Sequence, residues 1–123
     1  MIDPRPHSAA IIAALTARGV AAFTLDAVPD KLPPRFAVVH IARRFNAPVR
    51  SSAETDIVLW RATVSHVGSS VNETLWISMR VAEALNEATL TIAGDTYGPL
   101  QFELEQEPEP DDGRFSGRSQ WTY

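Results

Sequence analysis

Hydrophobic and polar positions change period along this chain, and each change marks the border of an element. In "HSAAIIAALTAR" the apolar residues Ile11, Ile12 and Leu15 fall on one face at helical spacing. Asp3 and Pro4 read as the N-cap and first helical position, and Gly19 as the stop. The alanines make this helix thin, suited to lying close on a sheet. "VPDKLPPRF" follows, with Pro29, Pro33 and Pro34. Each proline keeps the residue before it out of helical space, so the segment predicts a stiff, extended connector. "FAVVHIA" (36–42) is apolar on both faces, the pattern of a strand that is central or covered on two sides. Residues 43–56, "RRFNAPVRSSAETD", are polar and turn-rich. From 56 to 67 the alternation returns, with Val58, Trp60, Ala62 and Val64 on one face of a strand.

Ser70 and Glu73 form a capping box, opening a second helix over "SVNETLWISMRVAEALNEA". Its predicted core stripe is Val71, Leu75, Met79, Ala82 and Leu85, widened by Ile77, Val81 and Ala84. "TLTIAGDTYGPL" holds a short strand and a glycine-containing turn. The C-terminal stretch places acids at every second position (Glu103, Glu105, Glu107), then a break, then Arg114 and Arg118. If 101–107 and 114–120 pair around "PEPDDG", Glu107 faces Arg114, Glu103 faces Arg118, Leu100 meets Trp121 and Gln106 meets Phe115. A slip by one residue would break both sets of pairs, so the charges act chiefly on register. The expected fold is α+β: a mainly antiparallel sheet with two helices packed on one face, plus a protruding loop or hairpin arm.

With 123 residues the chain makes one domain, 1–123, with no internal repeat. Its 45% apolar and 21% charged residues are those of a globular protein. It has no cysteine, which excludes disulfides, thiolate metal sites and a cysteine nucleophile. No apolar run reaches the roughly 18 residues of a membrane span. "MIDPRPHSAA" lacks the basic-then-apolar order of a signal peptide, so a protein made in the cytoplasm, without membrane attachment, is expected. A net charge of −4 argues against non-specific duplex binding, which needs clustered cations.

Catalytic chemistry finds little support. His7, His40 and His66 are the only imidazoles, and none has a second ligand type at metal spacing. His66 and Ser69 resemble a base and nucleophile, but the serines there are already explained by helix capping. Glu54 and Asp56 read as a solvated strand entry. "GDTYG" is a turn, too poor in glycine for a phosphate loop. The acids between Glu103 and Asp112 lack the order of a calcium loop. The expectation is a protein that is not an enzyme and holds no cofactor or metal.

The 43–56 segment mixes Arg43, Arg44 and Arg50 with Phe45, Pro48 and Val49. One reading is a solvated hairpin tip. The other is an arm reaching a neighbouring subunit, because arginine beside aromatic and aliphatic groups is favoured at protein interfaces. The residues singled out for assembly are Arg43, Arg44, Phe45 and Arg50 in the arm, with Glu103, Glu107, Arg114 and Arg118 on the terminal hairpin. The hairpin charges have an alternative reading as purely intrachain pairs.

Taken together, "VPDKLPPRFAVVHI", "DIVLWRATVSHVGSSVNETLWISMRVAEAL" and "DDGRFSGRSQWTY" resemble, in order and spacing, the tail-terminator (tail-completion) proteins of long-tailed bacteriophages. The pattern is nearest to versions from actinobacteriophages, in agreement with a basic complement of ten arginines to one lysine and with abundant alanine. It departs from them where Ala42-Arg43-Arg44 replaces a frequent Gly-Gly, and where "SHVGSS" replaces a tryptophan-alanine pair. The resemblance implies a structural virion protein that forms a homo-hexameric ring. Such a ring caps the major tail tube protein, stops elongation and docks the head-tail connector or stopper, at the head-proximal end of the tail (the neck). Genomic DNA would pass through the lumen without specific binding, which suits an acidic chain. Two other readings remain open: a head-side adaptor or stopper of the neck, and a host-encoded small α+β adaptor or ligand-binding domain.

Overall fold

The computed structural model describes residues 4–44 and 59–123, with only the backbone described for Arg43, Arg44 and Leu59. The elements run α1 (Arg5–Thr16), β1 (Ala22–Thr24), a 3-10 turn (Leu25–Ala27), β2 (Arg35–Arg44), β3 (Leu59–Gly68), α2 (Val71–Leu85), β4 (Leu90–Ile92), β5 (Asp95–Tyr97), β6 (Gln101–Asp111) and β7 (Arg114–Thr122). Five strands form one sheet in the order β1-β2-β3-β7-β6, while β4 and β5 make a separate two-stranded hairpin. All pairings are antiparallel except β1 with β2. This is the expected α+β architecture: β4 is the short strand expected in "TLTIAGDTYGPL", while β1 and β5 are additions the apolar pattern was too short to show.

Helix α1 begins one residue later than predicted: Pro4 occupies the cap position with helical backbone angles, and its carbonyl accepts from the Ser8 N–H. The helix ends as its sequence requires. The Gly19 N–H bonds the Thr16 carbonyl and the Val20 N–H bonds the Leu15 carbonyl, with Leu15 and Val20 both buried. Its face of His7, Ile11 and Leu15 meets the sheet. Strand β2 buries Ala37, Val39 and Ile41 on that side. Coverage on the opposite face is partial: Phe36 is buried, Val38 half-buried and His40 exposed. Strand β3 buries Trp60, Ala62, Val64 and His66 beneath the helices. Each large apolar side chain removed from water here contributes about 1.5–3 kcal/mol.

The capping box of α2 is present in a shifted form. Ser70 Oγ accepts from the Glu73 N–H at 3.2 Å, and the Glu73 carboxylate reaches the backbone N–H and hydroxyl of Ser69. The Ser69 hydroxyl bond, the larger cause, holds the Glu73 carboxyl below its usual range. The core face of α2 is Thr74, Ile77, Val81 and Leu85. The predicted stripe is therefore displaced by part of a turn, and Val71, Leu75 and Met79 stand 42–50% exposed. Thr74 belongs inside because its hydroxyl donates within the fold, to the carbonyl of Ser70 at 2.9 Å and of Phe115 at 3.2 Å.

The terminal hairpin also departs from expectation. Its turn is Asp112-Gly113, both at positive φ (48° and 80°), a two-residue connection whose twist matches the flanking strands. Strand β6 thus continues through Pro108 and Pro110, which an edge strand tolerates because no neighbour requires their missing N–H. Asp111 faces Arg114, Pro110 faces Phe115, Gln106 faces Arg118 and Phe102 faces Trp121. Register shifts occur between Phe102 and Leu104 and between Gln106 and Glu109. The predicted Glu107–Arg114, Glu103–Arg118, Leu100–Trp121 and Gln106–Phe115 pairs do not form. The second irregularity has a visible cause: Gly117 lets the Gln106 carbonyl approach, and a Cβ there would lie 2.8 Å from that oxygen.

Candidate subunit interface

Of the residues singled out for assembly, Phe45 and Arg50 lie outside the described residues. Arg43 and Arg44 close β2, opposite Trp60 and Leu59. The other four sit on the hairpin, three of them with partners the sequence did not indicate. Arg114 donates to the carbonyls of Pro33 and Pro34, both at 3.1 Å, and its guanidinium lies 5.8 Å from the Phe36 ring centre. It fastens the proline connector to β7. Arg118 Nε donates to Gln106 Oε1 at 2.6 Å, as the observed register places it. Glu107 is exposed in the irregular part of β6. Glu103 accepts two bonds from Arg61, a residue the sequence reading did not single out. No local signal marks that pair, because it spans two strands.

Among the described residues strand β6 is the long free edge of the sheet, and every residue from Gln101 to Glu107 is exposed. Such an edge offers backbone N–H and carbonyl groups to a further strand. Phe102, 48% exposed, lies edge-on to Trp121 on the helix-bearing face, with ring centres 5.4 Å apart. Leu104, 55% exposed, stands opposite Gln120 on the helix-free face. Glu105 accepts from Ser78, which brings that flank of α2, with exposed Leu75 and Met79 nearby on the helix, over β6. The opposite flank of α2 is differently built. Arg35 stacks on Trp76 at 3.9 Å, Arg80 approaches the same ring at 5.2 Å, and Glu83 lies near Arg80 and Arg18.

At the other border of the sheet, β1 covers β2 only from Ala37 to Val39, although β2 runs on to Arg44. Beside this uncovered stretch is a cleft of about 350 Å³ between the start of α1, the 3-10 turn and β2, lined by Arg5, Leu25, Asp26, Val39, His40 and Ile41 among others. Leu25 is 74% exposed at its rim. The Asp26 carboxylate accepts from the Thr24 hydroxyl at 2.8 Å.

Two histidines are structural. His66 Nε2 meets Ser119 Oγ at 3.0 Å, and Ser119 Oγ accepts from Trp121 Nε1 at 2.9 Å. Burial pushes the His66 imidazole down to about 4, against a smaller opposing effect of the Glu105 carboxylate. All three side chains are buried under α2, and Ser69 is engaged by Glu73 instead. His7 is buried, stacked 4.1 Å from the Trp60 ring centre, with Nδ1 2.8 Å from the Tyr123 hydroxyl. Burial lowers its affinity for a proton and raises the Tyr123 phenol well above its usual value. His40 is exposed. Among the described residues, no three carboxylate or imidazole groups gather as a metal site, and no helix is long and apolar enough to cross a membrane.

No protein-family model matches the chain, and no curated protein matches its sequence. Solved structures do match its fold. A chain from the virion of a native gene transfer agent particle is similar over 94% of both chains, with a TM-score of 0.63 and 14% identity. A second solved chain, known only by a sequence identifier, is similar over 99% of this chain and 94% of its own, with a TM-score of 0.59 and 12% identity. At these identities the likeness is one of fold: this chain shares its architecture with a chain of that virion particle.

Proposed function

We propose that this protein is a structural subunit of a phage-type virion and works as its tail terminator. Copies of the chain, six in the expected arrangement, close into a ring at the head-proximal end of the tail. The ring caps the tube protein, ends its elongation and presents a docking face to the head connector, and DNA passes through it. The protein acts by shape and subunit contacts, without catalysis. The observation that carries this reading is the fold shared along 94% of both chains with a component of a gene transfer agent virion. The exposed edge β6 supports it, since an 11-residue free edge is a hazard for a solitary molecule and an asset in a ring. The three sequence stretches that resemble tail terminators select this position within the particle.

The test is gold labelling of tails purified from an infection or expression that makes no heads. Label at the head-proximal tip is expected. Label confined to heads would assign the chain to the head-side adaptor instead. Absence from both would remove the virion reading in favour of a host adaptor domain.

A further inference from the structure

The two borders of the sheet differ in charge and shape. Residues 101–113, which are β6 and its turn, carry six acids and no lysine or arginine. Residues 4–44, which supply α1, β1 and β2, carry six lysines and arginines against two aspartates. Of these basic residues, Arg18 and Arg35 lie toward α2, near Glu83 and Trp76, whereas Arg5 lines the cleft beside β2 and Arg43 and Arg44 end that strand. The acidic border projects apolar side chains, Phe102 and Leu104, flanked by Glu103 and Glu105. The basic border is recessed: it holds the cleft lined by Leu25, Val39 and Ile41, with Arg5 beside it and Arg43 and Arg44 following in β2.

We infer that β6 of one copy seats in the cleft beside β2 of the next, so that the ring closes by acidic border meeting basic border. The segment Gln101–Glu107 is the insert, with Leu104 entering the apolar cleft and the acidic strand lying along the end of β2 that carries Arg43 and Arg44. Beyond Val39, β2 has no strand on its outer side among the described residues, so a strand can be added there. Pro108, Pro110 and the register shift between Gln106 and Glu109 confine pairing to the part of β6 before them, which holds the other shift, between Phe102 and Leu104. The contact is heterologous, as ring closure requires, because donor and acceptor are different surfaces of one chain. Neither surface fits itself: two β6 borders repel, and so do two basic ones. This inference rests on the ring reading and adds which surfaces meet.

The absence of cysteine permits a clean test. A Leu25→Cys, Leu104→Cys double variant of the full chain is oxidised across a concentration series, with Leu75→Cys, Leu104→Cys as the control pair. The expected result is a ladder of disulfide-linked multimers with the first pair and none with the control. In parallel, Glu105→Lys with Glu107→Lys, or Arg43→Glu with Arg44→Glu, each raises the apparent dissociation constant about tenfold or more, and mixing the two restores association. Circular dichroism identifies any variant that fails to fold, and Glu105→Gln with Glu107→Gln then replaces the acidic reversal. Multimers that form without the disulfide ladder, or that ignore charge reversal, overturn the inference while the ring stands. A chain that stays monomeric throughout also overturns it, and the labelling of headless tails then judges the virion role by itself.

Discussion

Arg61 and Glu103 meet across an intervening strand. Arg61 lies on β3 and Glu103 on β6, with β7 between them, yet Nε and Nη2 of the arginine donate to the two carboxylate oxygens at 3.0 and 2.8 Å. The bonds to Glu103 raise the Arg61 guanidinium above its ordinary value. The geometry depends on the irregularity between Phe102 and Leu104, which frees Glu103 from the regular ladder.

The pair is partly exposed, so its contribution is modest and sensitive to salt. Arg61→Gln and Glu103→Gln are each expected to lower the thermal midpoint slightly, and the double variant to lose less than the sum. A double-mutant cycle at low salt measures this coupling, and repeating it in about 1 M salt should largely remove it. Additive losses at both salts would show that the two residues act independently.

His66 ties stability to pH. In the folded chain burial holds it near 4, whereas the unfolded imidazole takes a proton at about 6.5. Between those values the unfolded state binds more protons, so stability is level above about pH 6.5, falls as pH drops toward 4, and levels again below it. The full span is on the order of 3 kcal/mol. His66→Gln keeps a hydrogen-bonding group near Ser119 and removes the titration. Urea unfolding from pH 7.5 to 4 should show a shallower decline in the variant, since carboxylates contribute alike to both proteins. Parallel declines would refute the assignment.

The position of the α2 core face makes a sharp contrast between adjacent apolar residues. Leu75→Gln and Met79→Gln should change the unfolding free energy of the isolated chain by about 0.5 kcal/mol or less. Ile77→Ala, at a fully buried site, should cost about 2–5 kcal/mol. Equal losses at all three positions would place the stripe inward, as the sequence pattern alone suggested.

The sequence carried its local chemistry faithfully. The Ser70/Glu73 start of α2, the Gly19 end of α1, and the alternation of Trp60, Ala62 and Val64 all appear in the structure because each depends on residues within a few positions. The hairpin register was also written locally, in Asp112-Gly113. The prolines of β6 mask it, because they have the character of loop residues and only their place on an edge lets the strand continue through them.

By itself, then, the sequence determined the α+β class, the two helices, the main strands and the buried side of β3, since periodicity and capping need no distant partner. Tertiary structure decided the rest. Which flank of α2 is covered depends on where β7 offers the Phe115 carbonyl to Thr74. Which arginine pairs with Glu103 depends on the strand order β3-β7-β6. That the acidic strand β6 and the β1–β2 segment lie at opposite ends of the sheet follows from the strand order alone. Charge and contact act through space, and only the folded chain fixes which residues are neighbours.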